Sequence, residues 1–238
     1  MTALVVIPAR GGSKGIPRKN LLPVGGRPLV AWTIAQALEA RDPAAPDDLI
    51  VAVSTEDDEI ARAAADHGAR VIERPAALAE DTTPTEPVIL HAMDTVEADG
   101  VELDAVLLLQ ATSPVRRPDT IGRALAQFRD SGVDSLIGVV PESPFFWRPP
   151  SAPGESATAA YDVDRRPRRQ ELTADQLHYF ENGSLYVTAP WVYRERGNRI
   201  GGRTDLFVLT EDEGVDIDTV ADVAAAESTL ARLGWSIP

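Results

Sequence analysis

The hydrophobic positions of this chain fall into two alternating kinds of run. Short, unbroken apolar stretches at residues 4–7, 49–53, 71–72, 105–109 and 135–140 suit strands buried on both faces of a parallel sheet. Between them, residues 28–38, 57–67, 85–96 and 119–129 carry apolar positions at helical spacing. Pro28 stands in the first turn of its segment, where a missing N–H costs little, and Ser54 or Thr55 is expected to cap the acid-led segment 57–67. Strands over 183–188 and 207–209 and a helix over 220–233 complete the pattern. Such alternation predicts an α/β fold on a mostly parallel sheet with right-handed crossovers, its ligands bound beyond the carboxyl ends of the strands. The loop after residue 7, Arg74, Gln110 and the segment after Val140 all leave strands at that end and are expected to converge.

Periodicity fails between residues 141 and 169, where prolines, serines and arginines replace it. This reads as an arm or hairpin leaving the sheet. The expected organisation is one domain over residues 1–238, with 141–170 as an arm that could serve dimerisation.

Composition narrows the partners. The core must be aliphatic, because 44% of residues are hydrophobic and only 5% aromatic. A formal net charge of −14 argues against nucleic acid as a ligand. The cations are nonetheless clustered, at Arg10, Lys14, Arg18, Lys19 and Arg27 and again at Arg165, Arg166, Arg168 and Arg169, which favours small anions. With no cysteine there is no disulfide, thiolate nucleophile or cysteine zinc site. No signal-peptide pattern and no apolar run near the roughly 18 residues of a membrane span are present, so a cytoplasmic enzyme without a membrane partner is expected.

Residues 7–20, Ile7-Pro8-Ala9-Arg10-Gly11-Gly12-Ser13-Lys14-Gly15-Ile16-Pro17-Arg18-Lys19-Asn20, hold the densest chemistry. Pro8 is expected to close the first strand. Gly11, Gly12 and Gly15 are expected to adopt backbone conformations closed to other residues and to turn main-chain N–H groups towards one anion. Arginine forks and mobile lysine charges suit a triphosphate, and Ser13 adds a hydroxyl. The spacing fits neither a P-loop nor a dinucleotide fingerprint. A solvated basic loop is the alternative.

Two further segments carry candidate chemistry. Gln110-Ala111-Thr112-Ser113 follows a buried strand, as a ligand contact or as an ordinary capped turn. Asp216-Ile217-Asp218 projects two carboxylates from one face of an extended chain, suited to one hard cation, although a helix start explains Asp218 and Thr219 equally well. His67, His91 and His178 have no metal-ligand spacing and read as satisfied structural histidines.

The loop string resembles the signature Ala-Arg-Gly-Gly-Ser-Lys-Gly-Ile-Pro-x-Lys-Asn of the CMP-sialic acid synthetases, the acylneuraminate cytidylyltransferases. The resemblance extends to Arg74-Pro75 with Leu78-Ala79-Glu80-Asp81, to Leu109-Gln110-Ala111-Thr112-Ser113-Pro114, to Pro167-Arg168-Arg169-Gln170, to Tyr179-Phe180-Glu181-Asn182-Gly183-Ser184 and to Val215-Asp216-Ile217-Asp218. It implies a Rossmann-like nucleotidyltransferase that joins CMP from CTP to the anomeric hydroxyl of a sialic acid or related nonulosonate, releasing pyrophosphate. It further implies a magnesium ion on Asp216 and Asp218, and a homodimer. Arg10, Lys14, Lys19, Asp216 and Asp218 would be catalytic. The nucleotide would be bound by Ala9, Arg10, Gly11, Gly12, Ser13, Lys14, Lys19, Asn20, Arg74, Thr82 and Thr85, and the acceptor by Gln110, Thr112, Ser113, Arg168, Arg169, Gln170, Tyr179 and Asn182. Many bacterial members carry an arginine for the sugar carboxylate where this chain has Phe180. That leaves other acceptors open: legionaminate, pseudaminate, a deaminated nonulosonate, 3-deoxy-manno-octulosonate or a phosphonate. A non-catalytic nucleotide sensor or scaffold is the alternative of another class.

Overall fold

The computed structural model describes residues 1–13 and 15–235, with Asp47 by its backbone alone. Along the chain the strands are β1 (Ala3–Pro8), β2 (Pro23–Val24), β3 (Arg27–Pro28), β4 (Leu49–Thr55), β5 (Arg70–Glu73), β6 (Ala105–Leu109), β7 (Ser135–Glu142), β8 (Trp147–Arg148), β9 (Thr158–Ala159), β10 (His178–Thr188) and β11 (Thr204–Val208). The α-helices are α1 (Leu29–Glu39), α2 (Asp58–Asp66), α3 (Thr85–Glu97), α4 (Thr120–Ser131), α5 (Pro190–Arg196) and α6 (Val220–Arg232). Every unbroken apolar run has become a strand of one seven-stranded sheet, ordered β11-β7-β10-β6-β1-β4-β5.

Six of these strands run in one direction, and β10 runs against both its neighbours. The reversal follows from the segment after β7. It contains no crossover helix, so the chain re-enters from the end at which β7 left, and pairs antiparallel with it. The same pairing starts β10 at His178 rather than at 183, because His178 stands opposite Glu142. Between Glu181 and Tyr186 the register shifts, and the turn Asn182-Gly183 lies in that irregularity. The hairpin β2–β3 and the short helix α5 carry no periodicity long enough to predict them.

Alternate residues of the central strands feed two cores. Val5, Ile7, Val51, Val53, Leu107 and Leu109 pack with Val30 and Ile34 of α1, Ile60 of α2 and Phe128 of α4. On the opposite face, Leu4, Val6 and Leu108 pack with Ile89 and Met93 of α3 and Tyr193 of α5. A third cluster lies off the sheet, where Ile16, Leu29, Trp32, Val115 and Ile217 meet Ala226 and Leu230 of α6. Full burial of one such aliphatic side chain stabilises by about 1.5–3 kcal/mol. Among the described residues no helix is long and apolar enough to cross a membrane.

The expected caps need one correction. Asp57 itself caps α2, its Oδ1 accepting from the Glu59 and Ile60 N–H groups at 3.0 Å. Thr55 Oγ1 accepts from the Asp57 N–H at 3.1 Å, and Ser54 Oγ accepts from Arg74 Nε at 3.2 Å. A carboxylate directly before the helix, two positions beyond Thr55, reaches its free N–H groups, which the hydroxyls do not. His67 Nδ1 lies 2.8 Å from the Ala63 carbonyl, whereas His91 Nδ1 is buried with no hydrogen-bond partner among the described residues.

Between β7 and β10, β8 and β9 form a hairpin. Phe145 and Trp147 meet Tyr161 edge-on, and the Arg166 guanidinium lies 4.4 Å from the Phe145 ring centre. At the other end of the sheet's loops, fully buried Glu213 accepts from the Arg117 and Thr210 N–H groups at 3.0 Å, from the Thr210 hydroxyl at 2.8 Å and from the Thr120 hydroxyl. It thereby ties the segment before Val215 to the start of α4. Glu213→Ala leaves those donors without an acceptor and is expected to destabilise the protein by about 2–4 kcal/mol, read as a lowered urea midpoint at unchanged slope.

Candidate active site

The carboxyl ends of β1, β5 and β6 open onto a cavity of about 450 Å³. Arg10, Ser13, Lys19 and Asn20 reach it from the first loop, Arg74 from the end of β5, and Thr85 from the first residue of α3. Gln110 and Thr112 enter it from the end of β6, and Asp218 closes the remaining side. Parallel strands thus bring residues 10 and 218 to one place, as the topology requires of a ligand site.

Glycine serves the loop differently from the sequence expectation. None of Gly11, Gly12 and Gly15 has a positive φ. A Cβ at Gly11 would stand 2.5 Å from Asp57 Oδ2, and one at Gly15 would stand 3.0 Å from the Asp218 carbonyl oxygen, so at both positions what matters is close approach. The Gly11 N–H donates to Glu56 Oε1 at 2.8 Å and is therefore engaged within the protein. Gly12 is exposed, Ala9 is buried in the core with its N–H on the Ser54 carbonyl at 3.0 Å, and Lys14 lies outside the described residues.

The left-handed residue of the loop is Arg18, at φ 57°. Its guanidinium is held away from the cavity by Asp57, with Nη1 at 2.6 Å and Nη2 at 3.1 Å, and by Glu59 at 2.6 Å. These bonds raise its pKa, the Asp57 hydrogen bond foremost. The first loop's other described cations, Arg10 and Lys19, face the cavity. Arg10 Nη1 pairs with Asp81 Oδ1 at 2.8 Å, and Lys19 Nζ donates to the Ile217 carbonyl at 2.7 Å and to Asp218 Oδ1 at 3.1 Å. Asn20 Nδ2 donates to the Arg10 carbonyl at 2.9 Å and so shapes the loop as well as lining the cavity.

Arg74 is buried, in contrast to an exposed loop residue. Its Nε and Nη2 are fixed on Ser54, while Nη1 lies 4.0 Å from Glu56 Oε2. Burial lowers its pKa, Glu56 opposes that fall and Arg10 adds to it. Thr82 is exposed and outside the cavity lining, which takes Thr83 and Pro84 instead.

Around buried Ile217 the acidic segment has no regular secondary structure, and of its two aspartates Asp218 lines the cavity while Asp216 is not among the lining residues. Asp216 Oδ1 accepts from the buried Ser113 hydroxyl at 3.1 Å, and Asp218 turns to Lys19. Helix capping belongs to neither. Asp222 accepts from the Asp218 and Thr219 N–H groups and from the Thr219 hydroxyl, bonds that hold its carboxyl below the usual range, the Thr219 N–H foremost. Both aspartates therefore keep oxygens for another task. Among the described residues no group of three or more His, Asp or Glu side chains is arranged to hold a metal ion. Two carboxylates suit magnesium, which takes few protein ligands and completes its shell with water and phosphate oxygens.

On the acceptor side, the structure brings together fewer of the expected residues. Asn182 Nδ2 donates to the Glu213 carbonyl at 3.1 Å and its Oδ1 accepts from the Ser184 N–H at 3.2 Å. Tyr179 donates its hydroxyl to the Ala174 carbonyl at 3.2 Å. Arg168 is exposed beside Glu171, and Gln170 is exposed. Arg169 and Phe180 line a second cavity of about 670 Å³ with Glu142, Glu211 and Val215. The segment after Val140 belongs to this second cavity and not to the first, because β10 and its Asn182-Gly183 turn stand between β7 and β6.

Glu56 and Arg116 escaped the sequence reading. Glu56 lay in an acidic run that looks like a helix start, and its only signal is its place directly after a buried strand. Arg116 sits in a motif read for its glutamine and hydroxyls. It is fully buried, which pushes its guanidinium down to about 10 against the opposing pull of Glu213 and Asp216.

The sequence profile of the cytidylyltransferases matches residues 4–190. The chain is 32% identical over 237 residues to N-acylneuraminate cytidylyltransferase A of Danio rerio, an alignment covering 99% of this chain and 52% of that protein. It is likewise 32% identical over 234 residues to the CMP-N,N'-diacetyllegionaminic acid synthase of Legionella pneumophila, covering 97% of each. The chain thus spans about half the length of the N-acylneuraminate relative. A solved CMP:2-keto-3-deoxy-manno-octonic acid synthetase complexed with CTP superposes with a TM-score of 0.67 at 20% identity, over 98% of this chain and 99% of the other, and shows the shared fold.

Asp57 offers a test of how the loop is supported. Burial raises its pKa, but the Ile60 N–H and Arg18 outweigh burial and hold the carboxyl below the usual range. A lowered folded value contributes stability that is complete above the unfolded pKa of about 4 and is lost as pH falls through the folded value. Asp57→Ala should cost about 1–2 kcal/mol at neutral pH, and its gap to the parent protein should narrow below about pH 4. Urea denaturation across that range checks both.

Proposed function

The chain belongs to the cytidylyltransferase family, and on that premise we propose that it joins CMP from CTP to the anomeric hydroxyl of a sialic acid or related nonulosonate. The observation that carries this reading is the convergence of Arg10, Lys19, Arg74 and Asp218 on one cavity at the strand ends. The sugar oxygen attacks the α-phosphorus and forms the new P–O bond. The bond from that phosphorus to the bridging oxygen breaks, pyrophosphate leaves with the electron pair, and the proton of the sugar hydroxyl passes to solvent.

Negative charge gathers on the α-phosphate and the leaving pyrophosphate, so positioned cations lower the barrier. Arg10, Ser13, Lys14 and Lys19 take the triphosphate, and Asn20 holds the loop that presents it. Arg10 and Lys19 exchange Asp81 and Asp218 for phosphate oxygens when CTP enters. Arg74 reads the base through Nη1, its nitrogen not fixed on Ser54. Thr85, at the cavity wall, contributes on the same side. Asp216 and Asp218 would hold magnesium, which would supply neutralising charge to the phosphate oxygens. Asp218 leaves Lys19 in the same exchange, which frees the lysine for phosphate.

Gln110 places the acceptor. Arg169, beside Phe180, is the arm's candidate for the sugar carboxylate. A second reading makes the acceptor a legionaminic acid. It is supported by the relative of that name, 32% identical to this chain, and by Phe180 in place of the sugar-binding arginine. A homodimer built on the arm belongs to the same proposal and is supported by exposed Phe146 and Trp147; so does a cytoplasmic location.

Pyrophosphate release with CTP and a panel of keto-sugar acids is the direct test, and absence of turnover with every sugar acid overturns the reading. Lys19→Ala should lower kcat by about 100-fold or more in a folded protein, and near-normal turnover would remove Lys19 from the triphosphate site. Asp218→Asn and Asp216→Asn should each raise the magnesium concentration for half-maximal rate about tenfold, and an unchanged magnesium dependence would remove the metal from this pair.

A further inference from the structure

Arg116 has the largest fully buried side chain among the described residues, and packing alone does not explain a guanidinium there. Desolvating a cation costs several kcal/mol unless its hydrogen bonds are met. Here they are met by four acceptors on three elements. Nη1 donates to Gln36 Oε1 at 3.1 Å and Thr33 Oγ1 at 3.3 Å on α1. Nη2 donates to the Ser184 carbonyl at 2.7 Å on β10 and to the Gln110 carbonyl at 3.1 Å at the end of β6. Only Nε has no partner among the described residues.

The two carbonyls matter most. Gln110 and Ser184 are already joined by the Gln110 N–H to Ser184 carbonyl bond at 3.3 Å. The residue between Asn182 and Ser184 is Gly183, at φ +78°, whose absent Cβ would stand 3.3 Å from Gln110 Nε2. The Gln110 amide therefore lies against the bare backbone of the β10 turn and enters the cavity from there. If the turn and the end of β6 separate, that amide moves.

We infer that Arg116 is a positioning residue for the acceptor, holding the Gln110 and Ser184 carbonyls together so that the Gln110 amide is fixed against Gly183. This rests on the cytidylyl-transfer reading and on the acceptor role of Gln110. Lysine keeps the charge but presents one nitrogen in place of a fork and cannot satisfy carbonyls and side chains on three elements together. All of its hydrogen bonds go to α1, β10 and the end of β6, and Asp216 acts on it through charge alone.

The test is steady-state pyrophosphate release in which CTP and acceptor are varied separately, on the parent protein, Arg116→Lys, Gln110→Ala and the double variant. Arg116→Lys should raise KM for the sugar acid about tenfold while KM for CTP stays within about twofold. The double variant should be no worse than Gln110→Ala alone, since residues acting through one contact are not additive. A parallel rise of both KM values, or additive losses, overturns the inference while leaving cytidylyl transfer intact. A parent protein inactive with every sugar acid overturns that reading and the inference with it. Should Arg116→Lys fail to give a cooperative thermal transition, Thr33→Val removes one acceptor and leaves Arg116 in place. It should raise acceptor KM about threefold, and an unchanged value in the folded variant overturns the inference.

Discussion

Burial of Ile217 is the constraint on which the site depends. Its side chain is fully buried in the cluster off the sheet, with Ile16 from the first loop and Ala226 and Leu230 from α6. Its N–H donates to the Thr112 carbonyl at 2.8 Å, and its carbonyl accepts from Lys19. One residue thus joins the first loop, the end of β6 and the segment that carries Asp216 and Asp218. Magnitudes favour this anchor over the ion pair beside it. Burying an isoleucine stabilises by about 1.5–3 kcal/mol, whereas an exposed pair such as Lys19 with Asp218, whose carboxylate is 77% exposed, contributes about 0.2–1 kcal/mol. The aliphatic side chain sets the geometry, and the charged ones remain available for exchange.

That division recurs through the cavity. Arg10 with Asp81 and Lys19 with Asp218 are paired at its surface, where both aspartates are more than half exposed and water screens the attraction. Glu56 and Asp57 sit deeper and fix backbone: Glu56 holds the Gly11 N–H, and Asp57 holds the start of α2 together with Arg18. On the proposed reading, an acidic protein can bind a polyanion because ion pairs with exposed carboxylates stand where the anion enters, while more buried carboxylates stand behind them.

The sheet was legible because buried strands read as unbroken aliphatic runs, and residues 105–109 needed no adjustment at all. The direction of β10 was not, since strand sense depends on what the preceding segment can span and not on the strand's own residues. Within the site, charge and position at strand ends were enough to assemble Arg10, Lys19, Arg74, Gln110 and Asp218. The roles of glycine and of Arg18 were hidden for a common reason. Close approach of Gly11 to Asp57, and a left-handed arginine held by Asp57 and Glu59, are contacts between residues about 40 positions apart that no local pattern encodes. Glu213 and Arg116 were hidden likewise, because a charged residue announces exposure unless its partners are known.

Distance along the chain also explains why the donor half of the site is the better defined. Apart from Asp218, its residues follow β1, β5 and β6, strands set in place by cores of aliphatic side chains. The acceptor half combines one such strand end, at Gln110, with an arm whose few internal supports are aromatic edges and a cation on Phe145. Variation in the arm can leave the sheet undisturbed, and exposed Phe180 lies on the cavity wall shared with Arg169. Loops carried by a rigid scaffold are where specificity changes at least cost to stability. A nucleotide side fixed by strands and an acceptor side presented by an arm allow one fold to keep its donor while its acceptor changes.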